Sequence, residues 1–561
     1  MTGTTATGPD LRLGRHAAAV EARLAKWQSE GFGRRLWDKD HTLWSPEPVP
    51  ELADRLGWLT LPASMADEVD RLTRFAAEVK ADGIADVVVL GMGGSSLAPE
   101  VFSLTFGSAP GFPRVSALDS THPDAVRATA LRIDLARSLF VVSSKSGTTT
   151  ETLSFFRTFW ELLHGLVPEA ERGRHFVAVT DPGTPLEKLA RERGFRGVFS
   201  APEDVGGRYS ALTHFGLVPA ALLGLDVGRL LTSGGDEARA SGPSVPAADN
   251  PGLRLGAALG ELARAGRDKV TFLTAPAIAA FPDWIEQLIA ESTGKHGLGI
   301  VPVVGELAGP PEAYGDDRFF VGLFLGDEDN GLAAKLDALE LAGHPVARTR
   351  LQTPYDLGAE MFRWEVATAA AGAVLGVNPF DQPDVQLAKE LATQAMKEAA
   401  VGIAGSSSTT AVSDEKPDDL RQELVAWLSG ARPGDYLGLH AYLAPAPRTT
   451  EVLHAFQHAL HEKTRLAVTL GYGPRFLHST GQLHKGGPAA CRFLQIVDEP
   501  AEDLQVPEAA YTFGTLIRAQ ADGDCKALEQ RGRNVLRVRL GTDEDQGLRH
   551  LLQTFLEALG A

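Results

Sequence analysis

The sequence predicts an α/β protein built from parallel sheets flanked by helices, with two such units in series and a further C-terminal α/β unit appended. Three observations carry this. Strand-like stretches such as ADVVVL, SLFVVS and HFVAVT are continuous apolar runs, the pattern of strands covered on both faces. Each leads through a Gly, Ser, Thr or Asp turn into a stretch of helical period, as strand–helix–strand units require. The series restarts after residue 251 and again after residue 430, and 561 residues exceed what one core organises.

Taken in order, residues 1–80 are expected as an N-terminal helical segment. Within it, 1–16 read as a frayed terminus, Thr- and Gly-rich and without the apolar centre of a signal peptide. AAAVEARLAKWQSEGF and SMADEVDRLTRFAAEVKADG read as helices on either side of a Pro-punctuated connection at 44–48. Residues 81–232 are the first α/β unit, and the small, polar stretch 233–250 reads as an exposed connection. Residues 251–401 are the second unit, with strands at KVTFLTAP, GIVPVVGE, RFFVGLFLG and PVARTRL and a helix at EMFRWEVATAAAGAVLGV. Residues 402–429 are expected as a linker, because GIAGSSSTTAVSDEKPDD is small, polar and charged. Residues 430–561 form the appended unit, closed by an amphipathic helix.

A net charge of −18 opposes binding to nucleic acid or an anionic membrane over most of the surface. An anionic small substrate then needs its cations gathered in one pocket. No run of about 18 uncharged apolar residues offers a membrane span. Two cysteines, Cys491 and Cys525, fit neither a disulfide framework nor a metal-ligand spacing. The expected location is the cytoplasm.

Within this frame WIEQLIAESTGK, Trp284–Lys295, is the helix that could hold a general base. Ile285, Leu288 and Ile289 make one apolar face, while Gln287 and Glu291, four apart, share another. Gly294 ends the run and Lys295 follows it. A solvated helix face accounts for such a pair equally well.

Two hydroxyl-rich loops lie at expected strand ends, Gly91–Ser96 and Ser143–Thr150, where open parallel sheets bind ligands. Their glycines let backbone N–H groups approach an anion. Neither loop is a dinucleotide or nucleotide P-loop fingerprint, so together they point to a small phosphate ester; ordinary turns and caps are the other reading. Gly206-Gly207-Arg208-Tyr209-Ser210 sets a cation on a glycine turn entering a helix. Gln382 and Lys389 are seven apart, two turns along one helix face. Phe476–Pro488 crowds His478, His484 and Lys485 into one long loop, with no carboxylate or paired cysteine to complete a metal set.

Together GMGGSSLAPEV, SSKSGTTTET, VGGRYS, QLIAESTGKHGLGI and NPFDQPDVQLAK resemble, in order and separation across residues 85–395, the phosphoglucose isomerase (glucose-6-phosphate isomerase) family, which is built from two sugar-isomerase (SIS) domains. The appended unit, with GYGPRFLHSTGQLHKGGP, is similar to the isomerase half of bacterial transaldolase–phosphoglucose isomerase fusions; no separate (β/α)₈ half is seen. The resemblance implies an isomerase of glycolysis and gluconeogenesis that interconverts glucose 6-phosphate and fructose 6-phosphate through an enediolate. It implies Glu291 as the base moving a proton between C2 and C1, and Arg208, with Gly207, as the enediolate stabiliser. Gln287 and Lys145 line the pocket, Ser144, Ser146, Thr149 and Ser95 take the phosphate, and Gln382 and Lys389 complete the site, with Lys389 or a histidine opening the sugar ring. Asp384 and Gln386 depart from the family's pattern within the last motif. The ring-opening histidine departs too: between the glutamate helix and the FDQ motif only His296 and His344 occur, in no matching motif. His478, in L-H-S-x-G-Q, is the assignment, and the appended unit would then supply within one chain what a partner subunit supplies elsewhere. No metal or cofactor is implied, since the arginine can stabilise the charge. The expected partner is a sugar phosphate, with no nucleic acid or membrane; a homodimer is compatible with the sequence. The alternative is a sugar-phosphate-binding regulator of the SIS type without catalysis, which need not keep Glu291, Arg208, Gln382 and Lys389 together.

Overall fold

The structure, a computed structural model, describes residues 8–400, 410–411 and 417–559. Its strands are β1 (Asp10–Arg12), β2 (Asp86–Leu90), β3 (Arg114–Leu118), β4 (Ser138–Ser143), β5 (Phe176–Thr180), β6 (Gly197–Ser200), β7 (Lys269–Thr274), β8 (Val301–Val303), β9 (Arg318–Leu325), β10 (Val346–Leu351), β11 (Thr410–Ala411), β12 (Tyr436–Tyr442), β13 (Ala467–Tyr472), β14 (Cys491–Val497) and β15 (Asn534–Arg539). They form three five-stranded sheets, ordered β3-β2-β4-β5-β6, β1-β10-β9-β7-β8 and β11-β15-β14-β12-β13. Every described pairing is parallel except that of β1, which runs antiparallel to β10 with Asp10 opposite Arg348. The continuous apolar runs therefore became strands covered by helices on both faces, as their composition requires.

Several expectations are corrected. The segment expected to fray holds β1, an edge strand of the second sheet. The connection expected at 233–250 begins inside a helix, Val227–Ala240, which runs through the boundary drawn at 232. This helix packs on Leu357–Leu375, and its Glu237 is fully buried against Arg363 at 2.6 Å. A buried ion pair and a small-residue face outweigh the low helix propensity of Gly234 and Gly235. In the expected linker 402–429, residues 417–429 form a helix, Pro417–Ser429, packed on the terminal helix Glu544–Ala558. The rest of that segment lies outside the described residues apart from β11. The long loop after β13 contains a short turn, Arg475–His478, and a helix, Gly481–Gly486.

One apolar core joins the N-terminal helices to the first two sheets and includes Trp58, Tyr209, Trp284 and Trp364. The third sheet seats itself on both of its neighbours. Leu483 and Phe493 pack with Ala290, Val301 and Val303 of the second unit. Phe513 stacks on Phe155 of the first at a centroid distance of 6.0 Å. Arg318 also pairs with Glu306 through two bonds of 3.0 and 3.1 Å, with His461 of the third unit 3.6 Å from the same carboxylate. These contacts fix the turn Arg475–His478 between the first two units.

Candidate active site

In the first sheet the chain leaves β2 for β3 on one side, then returns to β4 on the other. The carboxyl ends of β2 and β4 thus flank a topological switch point, where open parallel sheets bind ligands. The loops Gly91–Ser96 and Ser143–Thr150 both sit there, and Ser143 Oγ donates to Ser95 O at 3.1 Å to join them.

The helix Phe281–Thr293 is buried on nearly every side, so the reading of it as a solvated face does not hold. Glu291 is 5% exposed. Its Oε2 accepts from Gln287 Nε2 at 3.1 Å and its Oε1 lies 3.3 Å from Arg208 Nη1. Arg208, 1% exposed, also donates to Ser292 Oγ at 2.9 Å, Pro379 O at 2.8 Å and Asp381 O at 3.0 Å. It rides on the short turn Gly207–Tyr209, which Tyr209 anchors by stacking on Trp58. The guanidinium thus holds the 379–381 segment to the glutamate helix, and a rigid carboxylate–cation pair results. Gly294 is not in a left-handed conformation; it is glycine because a Cβ there would come 2.4 Å from the Leu483 Cα of the third unit.

A second convergence brings in the histidine. The Gln287 amide donates to His478 O at 2.8 Å as well as to Glu291. Gly93, with φ of +54°, leaves room for both: a Cβ would lie 2.4 Å from His478 O and 3.0 Å from Gln287 Nε2. On Gly94 it would lie 2.1 Å from Gly207 O. The first glycine loop, the arginine turn, the glutamate helix and the histidine turn therefore meet at one place. His478 Nε2 lies 3.0 Å from Glu151 Oε1, in the first turn of the helix Thr150–Leu162.

The remaining predicted residues are placed less uniformly. Ser144 Oγ and Thr149 Oγ1 are 2.8 Å apart, and Ser144 Oγ also accepts from Gly147 N at 3.1 Å. Ser146 is exposed and bonds Thr148, while Ser95 is half-buried. This loop offers its hydroxyls and N–H groups at the start of a 13-residue helix, a setting suited to an anion. Lys145 instead pairs with Asp181 and reaches Glu203 O at 3.3 Å. Gln382 is exposed and precedes the helix Val385–Ala400, so the two-turn spacing to Lys389 does not apply. A turn at 383–384, in which Asp384 N donates to Gln482 Oε1 at 2.9 Å, delays the helix start. The backbone of Lys389 lies in that helix; its side chain is outside the described residues.

Sequence reasoning missed Glu151, Ser292, Asp381 and the role of Lys295, whose Nζ is buried 2.8 Å from Asp381 Oδ1 and also reaches Asn378 O. Burial pushes this ammonium down to about 7, with Arg208 acting the same way and Asp381 opposing. Of the three basic residues crowded at 478–485, only His478 faces the site. Burial among His440, Phe476 and Phe493 drives the His484 imidazole well below its usual range, and Lys485 pairs with Asp524 at 2.6 Å. Elsewhere, His122, Asp498 and Glu544 bring ligand-type atoms within 4.8 Å of one another between the first and third units. His122 Nδ1 accepts from Asp124 N at 3.2 Å, so its Nε2 is the donor to Asp498 at 3.1 Å and holds no lone pair for a metal.

Comparison with known proteins comes to the same place. A family model described as phosphoglucose isomerase matches residues 66–299. A glucose-6-phosphate isomerase of Rubrobacter xylanophilus is 31% identical over 428 residues, covering 67% of this chain and 95% of that protein. One of Symbiobacterium thermophilum is 32% identical, covering 60% and 85%. Among solved structures, a hypothetical protein of Thermus thermophilus superposes with a TM-score of 0.59 at 26% identity, covering 69% of this chain and 99% of that one. A glucose-6-phosphate isomerase of Chlamydia trachomatis shares the fold, with a TM-score of 0.53 at 22% identity, covering 71% and 81%.

Proposed function

The chain belongs to the phosphoglucose isomerase family, and from that premise we propose how its own residues interconvert glucose 6-phosphate and fructose 6-phosphate, a step of glycolysis and gluconeogenesis. The enzyme is an aldose–ketose isomerase whose first two units are sugar-isomerase domains. The observation that carries the residue assignment is the pair of hydrogen bonds donated by the Gln287 amide, to Glu291 Oε2 at 3.1 Å and to His478 O at 2.8 Å.

The reaction must remove a weakly acidic C–H proton beside a carbonyl. His478 opens the ring through Nδ1, which takes the C1 hydroxyl proton and delivers it to the ring oxygen as the bond from C1 to that oxygen breaks and the aldehyde forms. Glu291 then takes the C2 proton and returns it to C1; a positioned base of this kind contributes about 10²–10⁴-fold. Charge develops on the enediolate oxygens next to Arg208, whose other donors are already held, so no reorganisation is needed when the charge appears. Ser95, Ser144, Ser146 and Thr149 hold the phosphate, with Lys145, paired with Asp181, nearby. Gly207 and Gln287 shape the pocket, and Gln382 and Lys389 are assigned to the site by the family motif that they match. The substrate is the partner assigned, with no nucleic acid or membrane; among the described residues no helix is long and apolar enough to cross one, and we place the enzyme in the cytoplasm.

The test is to supply fructose 6-phosphate and assay both glucose 6-phosphate and mannose 6-phosphate as products. Glucose 6-phosphate as the main product is expected; no turnover to either would remove the proposal.

A further inference from the structure

Glu151 Oε1 has two partners from the third unit. One is His478 Nε2 at 3.0 Å; the other is Gln520 Nε2 at 2.7 Å, from the helix Phe513–Gln530. Gln520 is 5% exposed, and its Oε1 accepts from Thr121 Oγ1, fully buried, at 2.7 Å. The sense of this chain is fixed by chemistry. An ionised carboxylate only accepts, so the Gln520 amide presents its NH₂ to Glu151 and its oxygen to Thr121, which must donate. The same carboxylate accepts from His478, which makes Nε2 the protonated nitrogen and leaves Nδ1 for the sugar. Thr121 precedes the helix Pro123–Arg132 of the first unit, so the chain crosses from first unit to third, back to first and again to third.

We propose that Gln520 is a positioning residue for ring opening, with Thr121 setting the direction of its amide: together they hold Glu151 where it fixes the tautomer and orientation of His478. Gln520 touches neither substrate nor base, so its effect should fall on the step that His478 performs and spare the one that Glu291 performs. This rests on the reading of His478 given above.

The two steps separate by substrate. A 4,5-dideoxyhexose 6-phosphate has no hydroxyl placed to close a five- or six-membered ring, so its C2 proton exchange in deuterated water needs Glu291 but no ring opening. Turnover of glucose 6-phosphate needs both. For Gln520→Leu, glucose 6-phosphate kcat should fall about tenfold, the effect of losing one buried charge-assisted hydrogen bond, while exchange on the acyclic probe stays within about twofold. Thr121→Val, which keeps the shape but removes the donor, should produce the same split, and Thr121→Ser should restore the parent values. Equal loss on both substrates, or no loss on either, overturns the proposal. If Gln520→Leu does not fold, the Thr121 pair decides alone. His478→Ala is the reference: if it fails to split the two substrates, the assignment of His478 is wrong; if it splits them and the Gln520 and Thr121 variants do not, only the positioning role falls.

Discussion

Arg208 makes contact with the glutamate, a serine and two carbonyls at once, and that multiplicity sets what its replacement does. Arg208→Ala should lower kcat by about 3–4 kcal/mol of transition-state stabilisation, a factor of roughly 10²–10³. Arg208→Lys should recover little of this, because one ammonium cannot span the guanidinium's fork to Ser292, the two carbonyls and Glu291. Steady-state kinetics on both variants check this; wild-type kcat in the lysine variant would remove the arginine from the mechanism. At this scale the sequence singles out through motifs Glu291, Gln287, Arg208 and His478, four residues that lie together in the fold. It was silent on Glu151, Ser292, Asp381 and Gln520, because their meaning lies in partners hundreds of residues away or on another element. Lys145 is set in the pocket by the family resemblance of its loop, and only the neighbouring strand end supplies its partner Asp181.

At the scale of elements, the glutamate helix carries two further carboxyls on its N-terminal half. Asp283 and Glu286 line a cavity of about 680 Å³ with Phe272, Leu470 and Phe476. Burial pushes Asp283 up to about 6 and Glu286 up to about 8. The folded chain therefore keeps a proton on Glu286 that the unfolded chain releases near its ordinary value of 4.5. Its contribution to stability is full below that value and is lost as pH rises towards 8, with a ceiling of about 1.4 kcal/mol per pH unit. Glu286→Gln stays neutral, so its unfolding midpoint should gain on the parent's as pH rises from 5 to 8; parallel curves would contradict this. The loops are just as constrained. Gly94→Ala would drive a Cβ to 2.1 Å from Gly207 O, so a sharp loss of both stability and activity is expected, seen as a lower melting temperature and slower turnover; an unchanged variant would mean the loops do not meet. Most strands could be read from their apolar runs. What could not be read were elements made by tertiary contact: the edge strand Asp10–Arg12, the helix through 233–240 with its buried Glu237, and the helix Gly481–Gly486 inside a glycine-rich stretch.

For the whole molecule, the third unit reaches the site through Leu483 against the glutamate helix, Phe513 against Phe155, and His478 against Gln287 and Glu151. All of these groups belong to one chain. Specific activity should therefore stay constant on dilution through any dimer–monomer transition followed by gel filtration, and activity that collapses with a dimer would show that a second copy completes the site. The three-unit arrangement was legible in the sequence as a series of strand–helix repeats, but the seating of the third unit on the first two was not, since no local pattern encodes which faces meet. The central claim is that this assembly holds Glu291 as the base between C1 and C2. Glu291→Gln keeps the size of the side chain but removes its basicity, and its single amide oxygen keeps the bond from Gln287 Nε2 or that from Arg208 Nη1, not both. With sugar-phosphate affinity measured by calorimetry and C2 exchange followed by proton resonance in deuterated water, binding should persist while exchange falls by about 10²–10⁴-fold. Exchange at the parent rate would contradict the account.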